Sequence, residues 1–264
     1  MTRFRGTADS PQPNTPKPPI PKLKRALVAM MDDNFYVGYD VFLKSFLHFN
    51  PWFTDDFAII DVGLSVETRQ KMVERYARTV FVKPIYDNYK LVNMKHTAKH
   101  LQKTFYTLDV FALPYDRAIF IDMDTVILGD LSTLFDFPGQ FGAVRQYNRN
   151  MDRLTHGFNS GVFVVNSPAL SLATYQRLLQ IASPGHSMPD QAVLNQHFAG
   201  RMHYFDKIYN VEKRMLHTKL HTKTLENARI LHFVGEKPWE THSSWHLEAK
   251  YEPLEAIWRE WRDK

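Results

Sequence analysis

The sequence predicts an α/β fold built on a parallel sheet, and three observations predict it. Short apolar runs alternate with segments of helical periodicity through the first half of the chain. Two of those runs, Ala26–Met31 and Ile119–Ile121, end in the acids Asp32 and Asp122, and ligands of such sheets gather at the carboxyl ends of strands. The 264 residues are 44% hydrophobic and 14% aromatic, enough for one large core.

Taken in order, the elements begin after a tail. Residues 1–25 hold six of the 33 Lys and Arg (Arg3, Arg5, Lys17, Lys22, Lys24, Arg25) against one acid, Asp9, which leaves 27 bases and 27 acids for the remainder. The net charge of +5 therefore belongs to the tail, and no nucleic-acid partner is expected. Six prolines between Pro11 and Pro21 keep residues 1–24 extended, and a disordered, solubilising terminus is preferred to a tether or an anchor on an anionic surface.

Ala26–Met31 then reads as a strand, and Tyr36, Val37, Tyr39, Leu43, Phe46 and Leu47 follow at near-helical spacing. Phe57–Val62 is a second strand; Ser65, three residues before Thr68, starts a helix from Val66 to Tyr76; Val80–Val82 is a third strand. Residues 96–113 read as a helix stopped by Pro114. The next apolar run ends in Asp122-Met123-Asp124, and residues i and i+2 of an extended segment point the same way. Two carboxylates held that close repel unless a cation or a proton lies between them, which suits a hard divalent ion such as Mn2+ or Mg2+. Alone, such a pair is more often a solvated loop or a helix cap than a metal site.

The second half adds polar groups in tight settings. His156-Gly157-Phe158-Asn159-Ser160-Gly161 enters the strand Val162–Val165, and Pro189-Asp190-Gln191 opens an apolar helix, where Asp190 also fits a plain capping role. Arg229–Val234 is a strand delivering His232, Gly235 and Lys237 to its end. In company with the acid pair, His232 reads as a third ligand of a metal–diphosphate site, with Gly235 letting the backbone approach phosphate and Lys237 adding a point charge. From Tyr251 the spacing of Leu254, Ile257, Trp258 and Trp261 is helical; with seven acids and five bases over 236–264, a helix packed on the core is preferred to a membrane anchor. The stretch Lys213, Arg214, His217, Lys219, His221, Lys223 is either a solvated face or, slightly preferred, an acceptor-side lid; His217 and His221 lack a nearby acid and are discounted as a metal pair.

There is no cysteine, so disulfides, thiolate zinc sites and cysteine nucleophiles are excluded. The segment Met1–Gly6 has no apolar core of a signal peptide and no run reaches membrane-spanning length, so a cytoplasmic protein, at most peripherally bound to membrane, is expected.

These motifs, in order over about residues 25–240, resemble glycosyltransferase family 8, the retaining enzymes that include glycogenin and the bacterial lipooligosaccharide galactosyltransferases. The similar stretches are Asp122-Met123-Asp124, Phe158–Gly161, Asp190-Gln191 with Leu194-Asn195, and His232–Trp239; Ala29–Phe35 and Ile60–Ser65 are similar to the bacterial branch. The resemblance implies a single GT-A domain over 25–240, a Rossmann-like mixed sheet flanked by helices, followed by a helix within 241–264. It implies Mn2+ (or Mg2+) held by Asp122, Asp124 and His232, and a UDP-sugar donor. Asp32 and Asn34 would hold uracil and ribose, Phe35 would stack on the base, Asp122 would also lie near the ribose, and Gly235 and Lys237 would cradle the diphosphate. Asn159, Ser160, Asp190 and Gln191 would surround the transferred hexose, with Asp190 and Gln191 the catalytic candidates. A glycan, glycolipid or protein would be the acceptor, self-glycosylation on one of twelve tyrosines included.

Retention leaves two routes open: double displacement through Asp190 or Gln191, or front-face attack, which is favoured because an amide is a poor nucleophile. Two departures from the family pattern stand out. Thr107 aligns where Arg or Lys usually contacts the donor, with Lys103 one turn earlier as the expected substitute, and the His232–Lys237 interval is one residue short, which predicts a tighter loop. A nucleotidyltransferase is the rival enzyme, but Met31–Phe35 is nothing like its glycine-rich loop; a non-catalytic sugar-nucleotide or glycan binder is the other rival, and the intact Asp122, Asp124, Asp190 and His232 count against it.

Overall fold

The computed structural model describes residues 23–90, 92–93, 95, 97–148, 153–185, 189–217, 222–240 and 245–264. The expectations for residues 1–22, for Lys219 and for His221 lie outside these, as does the side chain of His217.

Strands β1 (Arg25–Met31), β2 (Asp56–Asp61), β3 (Thr79–Val82) and β4 (Arg117–Ile121) pair in parallel, in the order β3-β2-β1-β4. Beyond β4 the sheet is mixed. The 13-residue strand β7 (Leu154–Asn166) runs antiparallel to β4 and to β6 (Phe141–Tyr147), and β8 (His203–Phe205) closes the edge in parallel with β6. The parallel-sheet expectation thus holds for one half only, because β7 returns beside β4 without the crossover helix a parallel pair needs. A smaller sheet, β5-β10-β9, is made of β5 (Thr125–Ile127), β10 (Ile230–His232) and β9 (Val211–Glu212).

The central strands are buried on both faces, which is why they read as unbroken apolar runs. Alternation sorts them: Ala26, Val28, Ala118, Phe120 and Phe163 enter one core, Leu27, Ala29, Ile119, Ile121 and Val164 the other. The second core is covered by α1 (Tyr36–Phe49), through Tyr39, Phe42 and Phe46, and by Met72 of α2 (Val66–Arg75). Ser65 caps α2 by accepting from the Thr68 N–H at 3.2 Å. The first core is covered by α4 (Leu172–Ala182), α5 (Pro189–Phe198) and a 3-10 helix over Lys99–Ala112. That last segment winds as a 3-10 rather than an α-helix, and Phe105, Leu108 and Phe111 are among its buried side chains. Short helices α3 (Ser132–Phe135) and α6 (Thr222–Glu226) complete the connections.

Helix α7 (Trp245–Asp263) begins ahead of Tyr251 and packs Leu254, Trp258 and Trp261 against Val41 of α1, Val126 of β5, and Leu231 and Phe233 at β10. Burying Trp258 to 2% exposure is worth roughly 2–3 kcal/mol in transfer free energy, so this contact fastens the small sheet to the large one. None of the described helices is long and apolar enough to cross a membrane.

Candidate functional site

Strand pairing builds the site. Because β1 and β4 are parallel neighbours with Val28 opposite Phe120, Asp32 and Asp122 emerge side by side at the same sheet edge. The chain turns through Asp122-Met123-Asp124 directly into β5, and β10 pairs antiparallel to β5 with His232 opposite Thr125. The Phe233 N–H donates to the Asp124 carbonyl at 2.9 Å, so the two motifs are joined by backbone. His232 Nε2 lies 3.2 Å from Asp124 Oδ1 and 3.7 Å from Asp122 Oδ2, and one ligand atom from each residue lies within 4.8 Å of the others.

The groups fit a divalent cation. Adjacent ligands on an octahedral ion with bonds of about 2.1 Å are about 3 Å apart, close to the separations seen. Two carboxylates with one imidazole suit Mn2+ or Mg2+ better than a soft, thiolate-seeking metal. The space is kept by Gly161, where a Cβ would come within 2.3 Å of His232 Cε1 and 2.8 Å of Asp122 Oδ2.

Electrostatics separate the two acids. Desolvation and the neighbouring Asp124 push Asp122 up to about 7, although its side chain keeps 39% exposure at the mouth of the cleft. Asp124 is desolvated too, yet His232 and Lys237 hold it well below the usual carboxylate range. Burial lowers the His232 imidazolium, but Asp124 and Asp122 outweigh it, leaving His232 above its ordinary value.

Lys237 Nζ donates to Asp124 Oδ2 and stands 5.9 Å from the Phe35 ring centre. Gly235, at φ +89° in the left-handed region that favours glycine, turns the loop with open space beside it. Phe35 meets Trp239 edge-on at 5.7 Å, and Trp239 lies against Trp258 at 5.8 Å, so the expected base-stacking ring is backed by α7. Asp32 caps the short turn Asp33–Phe35 by accepting from the Asn34 N–H at 3.1 Å; Asn34 itself is exposed. Lys103 pairs with Asp32 at 2.5 Å, whereas Thr107 is buried with its hydroxyl 3.8 Å from Met30 Sδ. Of the two aligned positions, Lys103 is therefore the one at the cleft.

Across the cleft, Asn195 acts as a bracket: its amide accepts from the Phe158 N–H at 2.8 Å and donates to the Phe158 and Gln191 carbonyls at 2.9 and 2.8 Å. This clamps α5 to β7 and sets Asp190 and Gln191 opposite Asn159 and Ser160. Asn159 Nδ2 donates to Gln191 Oε1 at 3.2 Å. Asp190 stands in the first turn, one residue past Pro189, where the Ser160 and Thr104 hydroxyls and the Gln191 N–H face its carboxylate; burial nevertheless raises its pKa. Its carboxylate thus reaches across to β7 as well as serving its own helix.

Two groups escaped the sequence. Asn210, buried at 6% exposure, bonds to His232 and to Asn159, and Gln146 Oε1 accepts from Gln191 Nε2 at 2.8 Å. No motif marks either: Asn210 follows an unremarkable Lys207–Tyr209 turn, and Gln146 sits on β6, which carries no alternating pattern. The solvated-face reading fails at Lys213, which is 4% exposed and donates to the Glu236 carbonyl beside the Lys237 loop; Arg214 Nε is bound to Glu212 at 3.0 Å.

Comparison with known proteins places the chain in a family and a fold. The chain is 25% identical over 260 residues to the glycosyltransferase GlyF of Streptococcus pneumoniae, covering 91% of this chain and 62% of GlyF. It is 32% identical over 136 residues to human glycogenin-1, covering 47% and 36%. The chain thus spans less than two thirds of these relatives. Among solved structures it matches the galactosyltransferase LgtC with a TM-score of 0.61 at 19% identity, covering 89% of this chain and 99% of LgtC. It matches Streptococcus pneumoniae GlyE with a TM-score of 0.65 at 20% identity, covering 90% and 61%. These likenesses establish the GT-A fold. The model of the family described as glycosyl transferase family 8 matches residues 26–243, from β1 to just past the Lys237 loop, and it is to this family that the chain belongs.

Proposed function

We propose that the protein is a metal-dependent, retaining glycosyltransferase that moves a hexose from a UDP-sugar to a glycan, glycolipid or protein acceptor. The observation that carries this reading is that two sets of groups meet at one end of the sheet. Asp122, Asp124 and His232 form a cation-holding cluster with Lys237 bonded to Asp124, and beside it Asn159 and Gln191 are hydrogen-bonded to each other next to the carboxylate of Asp190.

In this reading Asp122, Asp124 and His232 would hold Mn2+, which would supply positive charge beside the diphosphate leaving group. Lys237 moves from Asp124 to phosphate and adds a second positive charge there. Asp32 and Lys103 engage the nucleoside end, with Phe35 backed by Trp239. Asn159, Ser160 and Asp190 orient the hexose hydroxyls, and Gln191 faces the anomeric carbon. An amide oxygen stabilises developing positive charge without forming a strong covalent bond, so the acceptor attacks the face from which UDP leaves, and its proton departs with the leaving phosphate.

The test is UDP release from a panel of UDP-sugars, with Mn2+ and with EDTA, in the absence of acceptor. Metal-dependent hydrolysis of one donor is expected and names the sugar. No turnover across the panel, together with no thermal shift on adding UDP and Mn2+, would sink the reading.

A further inference from the structure

We propose that Asn210 is a positioning residue that decides which nitrogen of His232 faces the metal site, acting through a chain of amides whose sense is set by one backbone N–H. The inference rests on the metal-dependent reading above and goes beyond it, since Asn210 would not touch the ion or the donor.

The two ends of an amide are interchangeable in shape, so only their partners fix which end is oxygen. Here the fixed point is the Gly161 N–H, a donor that cannot be reversed. It donates to Asn159 Oδ1 at 3.0 Å, so that atom is the carbonyl and the Asn159 NH2 faces Gln191 Oε1 at 3.2 Å. Asn210 approaches the same Asn159 Oδ1 at 3.0 Å and must do so with its NH2. Turned that way, it presents Oδ1 to His232 Nδ1 at 2.8 Å.

An acceptor at that point requires the proton on Nδ1. The lone pair of a neutral ring is then on Nε2, the atom 3.2 Å from Asp124 Oδ1 and 3.7 Å from Asp122 Oδ2. His232 and Asn210 are 3% and 6% exposed, so water has little access to compete for these bonds. The same polarity runs on to the far wall. With its Oε1 taken by Asn159, Gln191 must turn its NH2 to Gln146 Oε1, at 2.8 Å. Asn210 therefore connects the orientation of a metal ligand with that of the amide opposite the sugar.

The experiment measures Mn2+ uptake in the presence of UDP, by the EPR signal of free Mn2+, for the full chain and two variants. Asn210→Leu removes both bonds, and a loss of Mn2+ affinity of about 10–100-fold is expected, the range for removing the partner of a metal-binding histidine. Asn210→Asp keeps the acceptor for Nδ1–H and loses the donor to Asn159; it should stay within a few-fold of wild-type metal affinity while kcat falls. Unchanged Mn2+ affinity in Asn210→Leu overturns the proposal. If that variant does not fold, NMR of isotope-labelled histidine in the wild-type protein with Mg2+ and UDP decides. A proton on Nδ1 supports the inference, and a bare Nδ1 overturns it. Failure of the wild-type chain to take up either ion overturns the metal site itself, and this inference with it.

Discussion

Lys237 and Asp124 are joined by an ion pair across 113 residues of sequence, with the carboxylate only 5% exposed and the lysine 16% exposed. Each oxygen of Asp124 has its own cationic neighbour, Lys237 at Oδ2 and His232 at Oδ1. A lysine so placed competes with a bare cation at the site, and under the proposed function it would be the group that turns to the diphosphate. Lys237→Met should therefore weaken UDP binding about tenfold or more, the scale of one lost charged hydrogen bond. Binding of Mn2+ alone should be unchanged or tighter, because a competing positive charge is gone. Calorimetric titration with Mn2+ and with UDP separates the two; unaltered UDP affinity would remove Lys237 from phosphate binding.

Metal uptake should release protons. Asp122 is raised to about 7 by desolvation and by Asp124, and His232 is raised above its ordinary value, so below neutrality both carry protons that a cation must displace. Asp124, held low, is already ionised and contributes no pH dependence in this range. Affinity should rise with pH through the titration of Asp122 at about 7. Titrations in buffers of different ionisation enthalpy would show the released protons as buffer-dependent heat. Affinity that stays flat from about pH 6 to about pH 8 would contradict the assignment.

How far this site could be seen in advance depended on how local each signal is. Asp122, Asp124 and His232 sit at the ends of strands and Asp190 at the start of a helix, where a neighbouring apolar run makes a polar residue conspicuous, and Asn159 lies just ahead of the apolar half of β7. The first three converge through β10 beside β5; Asn159 and Asp190 join them only through β7 beside β4 and the Asn195 bonds to α5. Lys103 was singled out only because it lies one turn before Thr107 on the same face, and in the structure it pairs with Asp32. The antiparallel direction of β7, and the strands β6 and β8 beyond it, were not legible in the residues, since strand direction and pairing are tertiary properties with no period of their own. Asn210 and Gln146 were hidden for the same reason: each matters through partners at least 22 residues away.

Gly161 offers a sharp steric test. A methyl group there would meet His232 Cε1 at 2.3 Å, Asp122 Oδ2 at 2.8 Å and Asn159 Oδ1 at 2.9 Å, in the half of β7 that is buried from Ser160 onward. Gly161→Ala should cost about 1–3 kcal/mol of stability through overpacking and lose most metal binding. Gly235→Ala is the control. It has no atom within 4 Å but stands at φ +89°, so about 1–2 kcal/mol of backbone strain is expected without displacement of His232. Equal metal affinity in Gly161→Ala and wild type would show that the close packing is not needed.

At the nucleoside edge, Lys103 and Thr107 should behave differently. Lys103 is 53% exposed and tied to Asp32, so Lys103→Met should raise the KM for donor several-fold with kcat little changed, the pattern of lost uniform binding. Thr107→Val replaces a buried hydroxyl whose neighbour is a thioether, and donor kinetics should stay at the wild-type level. Steady-state rates over a range of donor concentrations decide it, and a larger effect from Thr107 would reverse the assignment.

Asp190 should be costly to activity and cheap to stability. Its carboxylate is desolvated and its pKa raised, so above the unfolded-state pKa the folded protein carries a charge that burial disfavours. By linkage, such a group withdraws stability as pH climbs from the unfolded value towards the folded one, the opposite of a salt-bridged acid. Asp190→Asn keeps the shape, retains an oxygen for Ser160, Thr104 or the Gln191 N–H, and removes the charge. Its melting temperature near neutral pH should match or exceed the wild type, and UDP affinity should be unaffected because the Lys237 wall is untouched. Turnover should fall by about 100-fold or more if the negative charge stabilises the oxocarbenium-like sugar in the transition state. A normal rate in Asp190→Asn would reduce Asp190 to a helix-terminal hydrogen-bonding group; a large drop in melting temperature would mean that its bonds to Ser160 and Thr104 hold α5 on the sheet.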